Sequence, residues 1–163
     1  MRLVGATLDR TDSDSGKLAP RESFMEDMPS LAESILQQIA DAVIYADRSG
    51  TIRRWNQAAA ALFGYGAAEA LGQKLDLIIP EHLRERHWLG FDAAMANGVV
   101  RLQGRPTLTR ATHKSGSRLY VEMTFALVKH DGEGPAIGSV AVARDATERV
   151  EQQRAAARRD GSK

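Results

Sequence analysis

The chain has 163 residues, 43% apolar and 26% charged, which suits one globular domain with some length left over for tails. Its 22 basic and 21 acidic residues nearly cancel, so no net field steers it onto nucleic acid or an anionic membrane. It contains no cysteine, which excludes disulfides, thiolate metal sites, thiol catalysis and covalent flavin–cysteine chemistry.

Residues 1–28 mix Asp, Ser, Gly and Arg without a period and are predicted as a disordered arm. They lack the continuous apolar stretch of a signal peptide, and no apolar run approaches the roughly eighteen residues of a membrane span. A cytoplasmic location is therefore expected. Ser30 with Glu33 three residues on reads as a capping box that opens an amphipathic helix over 30–40. Its apolar positions Leu31, Ile35, Leu36 and Ile39 offer a surface for a homodimer.

From Asp41 the pattern changes to period two. Ala42–Ala46 and Thr51–Trp55 read as strands joined by the turn Asp47-Arg48-Ser49-Gly50. Asn56 is placed to cap a helix over Gln57–Phe63, which Gly64 ends. Short helical turns follow at Ala67–Ala70 and Leu75–Ile79. Pro80 then opens a longer helix, Glu81–Ala96, stopped by Asn97-Gly98. Three more strands are predicted over Arg105–Lys114, Arg118–Lys129 and Ala136–Ala143. In the second of these, alternation puts Leu119, Val121, Met123, Phe125 and Leu127 on one face. Asp145-Ala146-Thr147 leads to a charged helix and tail over 148–163. The order β-β-α-α-α-β-β-β has no βαβ rhythm. It predicts an α+β fold: a five-stranded antiparallel sheet with helices on one face and flanking N- and C-terminal helices.

The wording of the sequence resembles the PAS family across residues 31–154. Gly50, Ile52, Trp55, Asn56, Ala58, Ala59, Leu62, Phe63, Gly64 and Tyr65 match the family's opening phrase. "ALGQKLDLIIPE" is similar to its link into the long helix, "HKSGSRLYVEMTFALV" to its hairpin, and "RDATER" to its "D-I-T-E-R" ending. The resemblance implies a PAS sensor domain over 29–147. Each matched residue also has a structural reason to be there: Gly50 a tight turn, Asn56 a cap, Phe63 core, Asp145 and Thr147 a junction.

Within the long helix, Pro80, Glu81, Arg84 and His87 resemble the phrase of the heme-binding oxygen-sensor PAS domains of the FixL type. That resemblance implies heme b with its iron on His87. Independently, helical spacing sets Leu83, Gly90, Phe91 and Ala94 beside His87, an apolar face with a glycine gap that suits a flat macrocycle. The same face is equally the setting of a core histidine with no ligand. Ungapped counting puts Leu102, Met123 and Phe125 on the opposite wall, where plain core packing is the other reading. The FixL type places an arginine over the bound gas, and here the sequence departs from that pattern: Thr107 falls on the position, and Arg105, two residues earlier with the same strand parity, is a second candidate. Arg101 is placed to pair a heme propionate.

No catalytic triad, phosphate loop or two-carboxylate site is present, so binding rather than catalysis is expected. The reading is a sensor for a diatomic gas (oxygen, carbon monoxide or nitric oxide) that signals through its flanking helices to another polypeptide or to a longer chain. Two alternatives stand beside it: a cofactor-free dimerisation or interaction module, and a pocket for a flavin or a small organic ligand.

Overall fold

The structure, a computed structural model, describes residues 30–100 and 104–160. The expected arm over 1–28 lies outside the described residues, as do Arg101 and Leu102. Helix α1 (Leu31–Gln38) leads into strands β1 (Ala42–Asp47) and β2 (Ile52–Trp55). Helices α2 (Gln57–Phe63) and α3 (Ala67–Ala70), a 3-10 turn (Leu75–Leu77) and α4 (Glu81–Asn97) follow. Strands β3 (Thr107–Thr112), β4 (Arg118–Lys129) and β5 (Ala136–Asp145) complete the sheet, and α5 (Thr147–Asp160) leaves it.

The sheet order is β2-β1-β5-β4-β3, and every pairing is antiparallel. One face of β1, β5 and β4 packs on the helices between β2 and β3, giving a core that includes Ile44, Ile52, Trp55, Phe63, Val121 and Ala143. Phe63 is fully enclosed and packs on Trp55 with ring centroids 5.4 Å apart. Burial of such a side chain stabilises by about 1.5–3 kcal/mol. The expected α+β architecture with its five-stranded antiparallel sheet is the one observed. Helix α5 lies on the opposite side of the sheet, where Tyr120, Ala146 and Val150 form a small separate cluster.

One polar side chain organises the entry to this core. Asn56 caps α2, as its place before Gln57 predicts: its Oδ1 accepts from the Ala59 N–H and also from the Val43 N–H, both at 2.9 Å. Its Nδ2 donates to Leu36 O at 3.1 Å and Asp41 O at 2.9 Å, with Ile39 O further off at 3.4 Å. The end of α1, the start of β1 and the start of α2 are thus tied to one amide.

β3 starts at Thr107 rather than at Arg105. Pro106 has no N–H to give to a ladder, and the first paired residue is Thr107, opposite Met123. Among the described residues, no helix is long and apolar enough to cross a membrane.

Candidate functional site

A cavity of about 400 Å³ opens between α4, the 3-10 turn and the inner face of the sheet. Its floor is apolar: Ile44, Ile78, Leu83, Phe91, Met123 and Phe125 contribute to it. Each comes from the expected periodicity. Leu83, His87 and Phe91 stand at intervals of four along α4, and Met123 and Phe125 occupy alternate positions on β4.

His87 enters the cavity among these side chains. Its Nδ1 is buried and has no hydrogen-bond partner. Burial holds the imidazole below its ordinary pKa of 6.5, against the opposing pull of Asp76 and Asp92. The ring is therefore neutral near pH 7. Its plane stacks on Phe91 at 5.9 Å between centroids and meets the edge of Trp88 at 5.1 Å.

α4 is fixed beside the sheet through its outer neighbours. Trp88 Nε1 donates to Asp76 Oδ1 at 2.9 Å, and Arg84 donates to the carbonyls of Asp76 and Ile79 at 3.1 and 3.2 Å. The far edge of the Trp88 ring fills the space where a side chain at Gly50 would stand. Gly50 has φ of 74°, so this turn requires glycine on both counts.

A second cavity of about 580 Å³ runs along the C-terminal half of α4, past Gly90, Ala94 and Val99. His87, Phe91, Phe125 and Ser139 line both spaces.

Of the residues expected around a cofactor, His87, Phe91, Met123 and Phe125 come together at the first cavity. Gly90 lies on the exposed side of α4 and borders the second space instead. Thr107 lines the first cavity. Arg105 does not: it is exposed, in the approach to β3 that Pro106 keeps out of the ladder. Arg86, Thr109 and Ser139 line the cavity without having been picked out from the sequence. Parity identifies two of them in retrospect, since Thr109 alternates with Thr107 and Ser139 with Ala141. The Trp88–Asp76 bond joins residues twelve apart across a bend at Pro80, and no local pattern announces it.

Among the described residues, no group of three or more His, Asp or Glu side chains could hold a metal ion.

A family model described as "PAS fold" matches residues 36–151. Sensor protein FixL of Bradyrhizobium diazoefficiens is 27% identical over 146 residues, which is 90% of this chain. Oxygen sensor protein DosP of Escherichia coli is 28% identical over 117 residues, 72% of this chain. The chain spans 27% of the former protein's length and 14% of the latter's. Among solved structures, a PAS domain from Colwellia psychrerythraea superposes with a TM-score of 0.61 at 23% identity, covering 71% of this chain and 93% of that one.

Proposed function

The chain belongs to the PAS family of sensory modules, and we infer that its cavity binds heme b through His87 and senses a diatomic gas. The observation that carries this reading is a half-buried, neutral imidazole that lines an apolar cavity. Because the described residues offer no multidentate metal cluster, a macrocycle that brings its own four nitrogens fits the single imidazole. When bound, heme supplies an iron with one coordination position open to a gas.

The chain's own residues hold and exclude. His87 anchors the ring. Leu83, Phe91, Met123 and Phe125 keep water from it, and Thr107 is the polar group available on the strand side. Two relatives named as a sensor and an oxygen sensor make oxygen the first gas to test. Occupancy can signal only if the ligand binds two arrangements of the chain with different free energies. We place that difference in β4, which faces the cavity with one side and α5 with the other. The role is one of binding, not catalysis, in the cytoplasm. The protein acts as a homodimer whose second copy covers the apolar side of α1.

The test is reconstitution with hemin. The wild type is expected to give a Soret band around 400 nm with an iron–imidazole signature, and His87→Ala to lose that signature. An unchanged spectrum in the variant rejects His87 as the ligand. A wild type that takes up no hemin rejects the heme reading and leaves a cofactor-free module or a pocket for another organic ligand.

A further inference from the structure

Two arginines of α4 stand two residues apart and have different surroundings. Arg84 is engaged with the 3-10 turn: it donates to the carbonyls of Asp76 and Ile79, and its Nε lies 3.8 Å from the Asp76 carboxylate. Arg86 lines the first cavity and is exposed. Its helical neighbours at three and four residues are His82, Leu83, Leu89 and Gly90, so α4 offers it no carboxylate. Among the described residues no ion pair involves it. An arginine so placed lays its stem on the apolar wall and keeps its guanidinium in the mouth.

No acidic residue answers that charge inside. Neither cavity has an Asp or a Glu in its lining. Asp76, whose charge reaches His87, is already held by Trp88 and Arg84, and Asp92 lines neither space. On the strand side, Thr107 and Thr109 have inward parity and bring two half-buried hydroxyls to the same cavity. Arg110 also borders it, but stands opposite Tyr120 in the ladder and has the parity of the outer face.

An apolar floor with a cation and hydroxyls at its edge selects a ligand with an apolar body and one anionic head. The single charge of a carboxylate is balanced by one guanidinium, and its two oxygens match the guanidinium fork. A phosphate monoester carries about −1.5 to −2 near pH 7 and would leave negative charge over beside the apolar wall.

We propose that Arg86, with the Thr107 and Thr109 hydroxyls, holds a carboxylate at the mouth of the first cavity, so that the ligand is an organic acid with an apolar body. This rests on the reading of that cavity as the ligand site. The propionates of heme are one source of such a group, and a free apolar acid is the other. Arg86 then sets specificity by head group, while the apolar floor accepts the body.

The experiment sets acids against their neutral counterparts in the full chain. Hemin and its dimethyl ester are compared by absorbance, octanoate and octanol by amide NMR and thermal unfolding. In at least one of these pairs the wild type is expected to bind the acid roughly tenfold more tightly than the neutral form, and Arg86→Gln to lose most of that ratio. Arg86→Lys should restore part of it, since the charge returns without the fork. A preference for hemin over its ester without binding of octanoate assigns the carboxylate to heme, and the reverse assigns it to a free acid. A variant that weakens acid and neutral form equally overturns the proposal, because Arg86 would then contribute packing alone. So does a ratio that Arg86→Gln leaves unchanged, or failure of both acids to bind. The two readings fail separately: uptake of hemin and its ester alike keeps His87 without the carboxylate site, whereas octanoate preferred to octanol with no hemin uptake keeps the carboxylate site without heme.

Discussion

Asn56 uses both ends of its amide, and each end carries a different kind of information. The Oδ1 contact to Ala59 N is a helix cap, legible from an Asn before a helical run. The Nδ2 contacts to Leu36 O and Asp41 O join segments some fifteen to twenty residues earlier, and they exist only once the chain has folded. Asn56→Ala would leave the Val43 and Ala59 N–H groups unpaired along with those carbonyls. We expect a loss of about 3 kcal/mol, read from urea unfolding, since a lost cap and a buried unsatisfied group each cost on the order of 1–2 kcal/mol. His87 shows the same division. Its neighbours Leu83 and Phe91 follow from helical spacing, whereas its contact with Trp88 and the Trp88–Asp76 bond depend on where the bend at Pro80 sets α4.

Elements were legible where alternation or capping was strong, and less so at their ends. β3 was expected to begin at Arg105, but the missing N–H of Pro106 delays the ladder to Thr107 and leaves Arg105 in solvent. The β1–β2 connection is firmer. Asp47 Oδ1 accepts from Ser49 N at 2.9 Å, Ser49 Oγ at 2.7 Å and Thr51 N at 3.1 Å, while Oδ2 meets Arg53 Nε at 2.7 Å. Desolvation pushes the Asp47 carboxyl up, but these bonds outweigh it and hold the pKa well below its ordinary 3.8. A carboxyl with a depressed folded pKa stabilises fully above the unfolded value and loses that contribution as pH falls through the folded one. Asp47→Asn should therefore lower the unfolding midpoint at about pH 7, with the gap from wild type narrowing toward about pH 2. A gap that stays constant across that range would place the effect in packing rather than charge.

For the molecule as a whole, the five strands and the helical insert between the second and third followed from counting periods. The side of the sheet taken by α5 did not, because a charged helix with few apolar positions gives no sign of which face it will cover. The proposed homodimer is argued at this scale. Leu31 and Ile35 on α1 and Ile39 just after it are 76%, 53% and 39% exposed, while Leu36 turns inward and is half-buried. Ile35→Lys should convert a dimer to a monomer in sedimentation velocity and leave hemin uptake intact. A wild type that sediments as a monomer at high concentration removes the dimer from the proposal.

β4 carries Met123 and Phe125 toward the cavity and Tyr120 and Glu122 toward α5. The cavity and the outgoing helix are thus separated by the thickness of one backbone. Inserting a single residue into β4 would exchange its two sides, sending Met123 and Phe125 toward α5 and the tyrosine toward the cavity. The cavity lining and the seat of α5 would be lost together, because the pleat of one strand separates them.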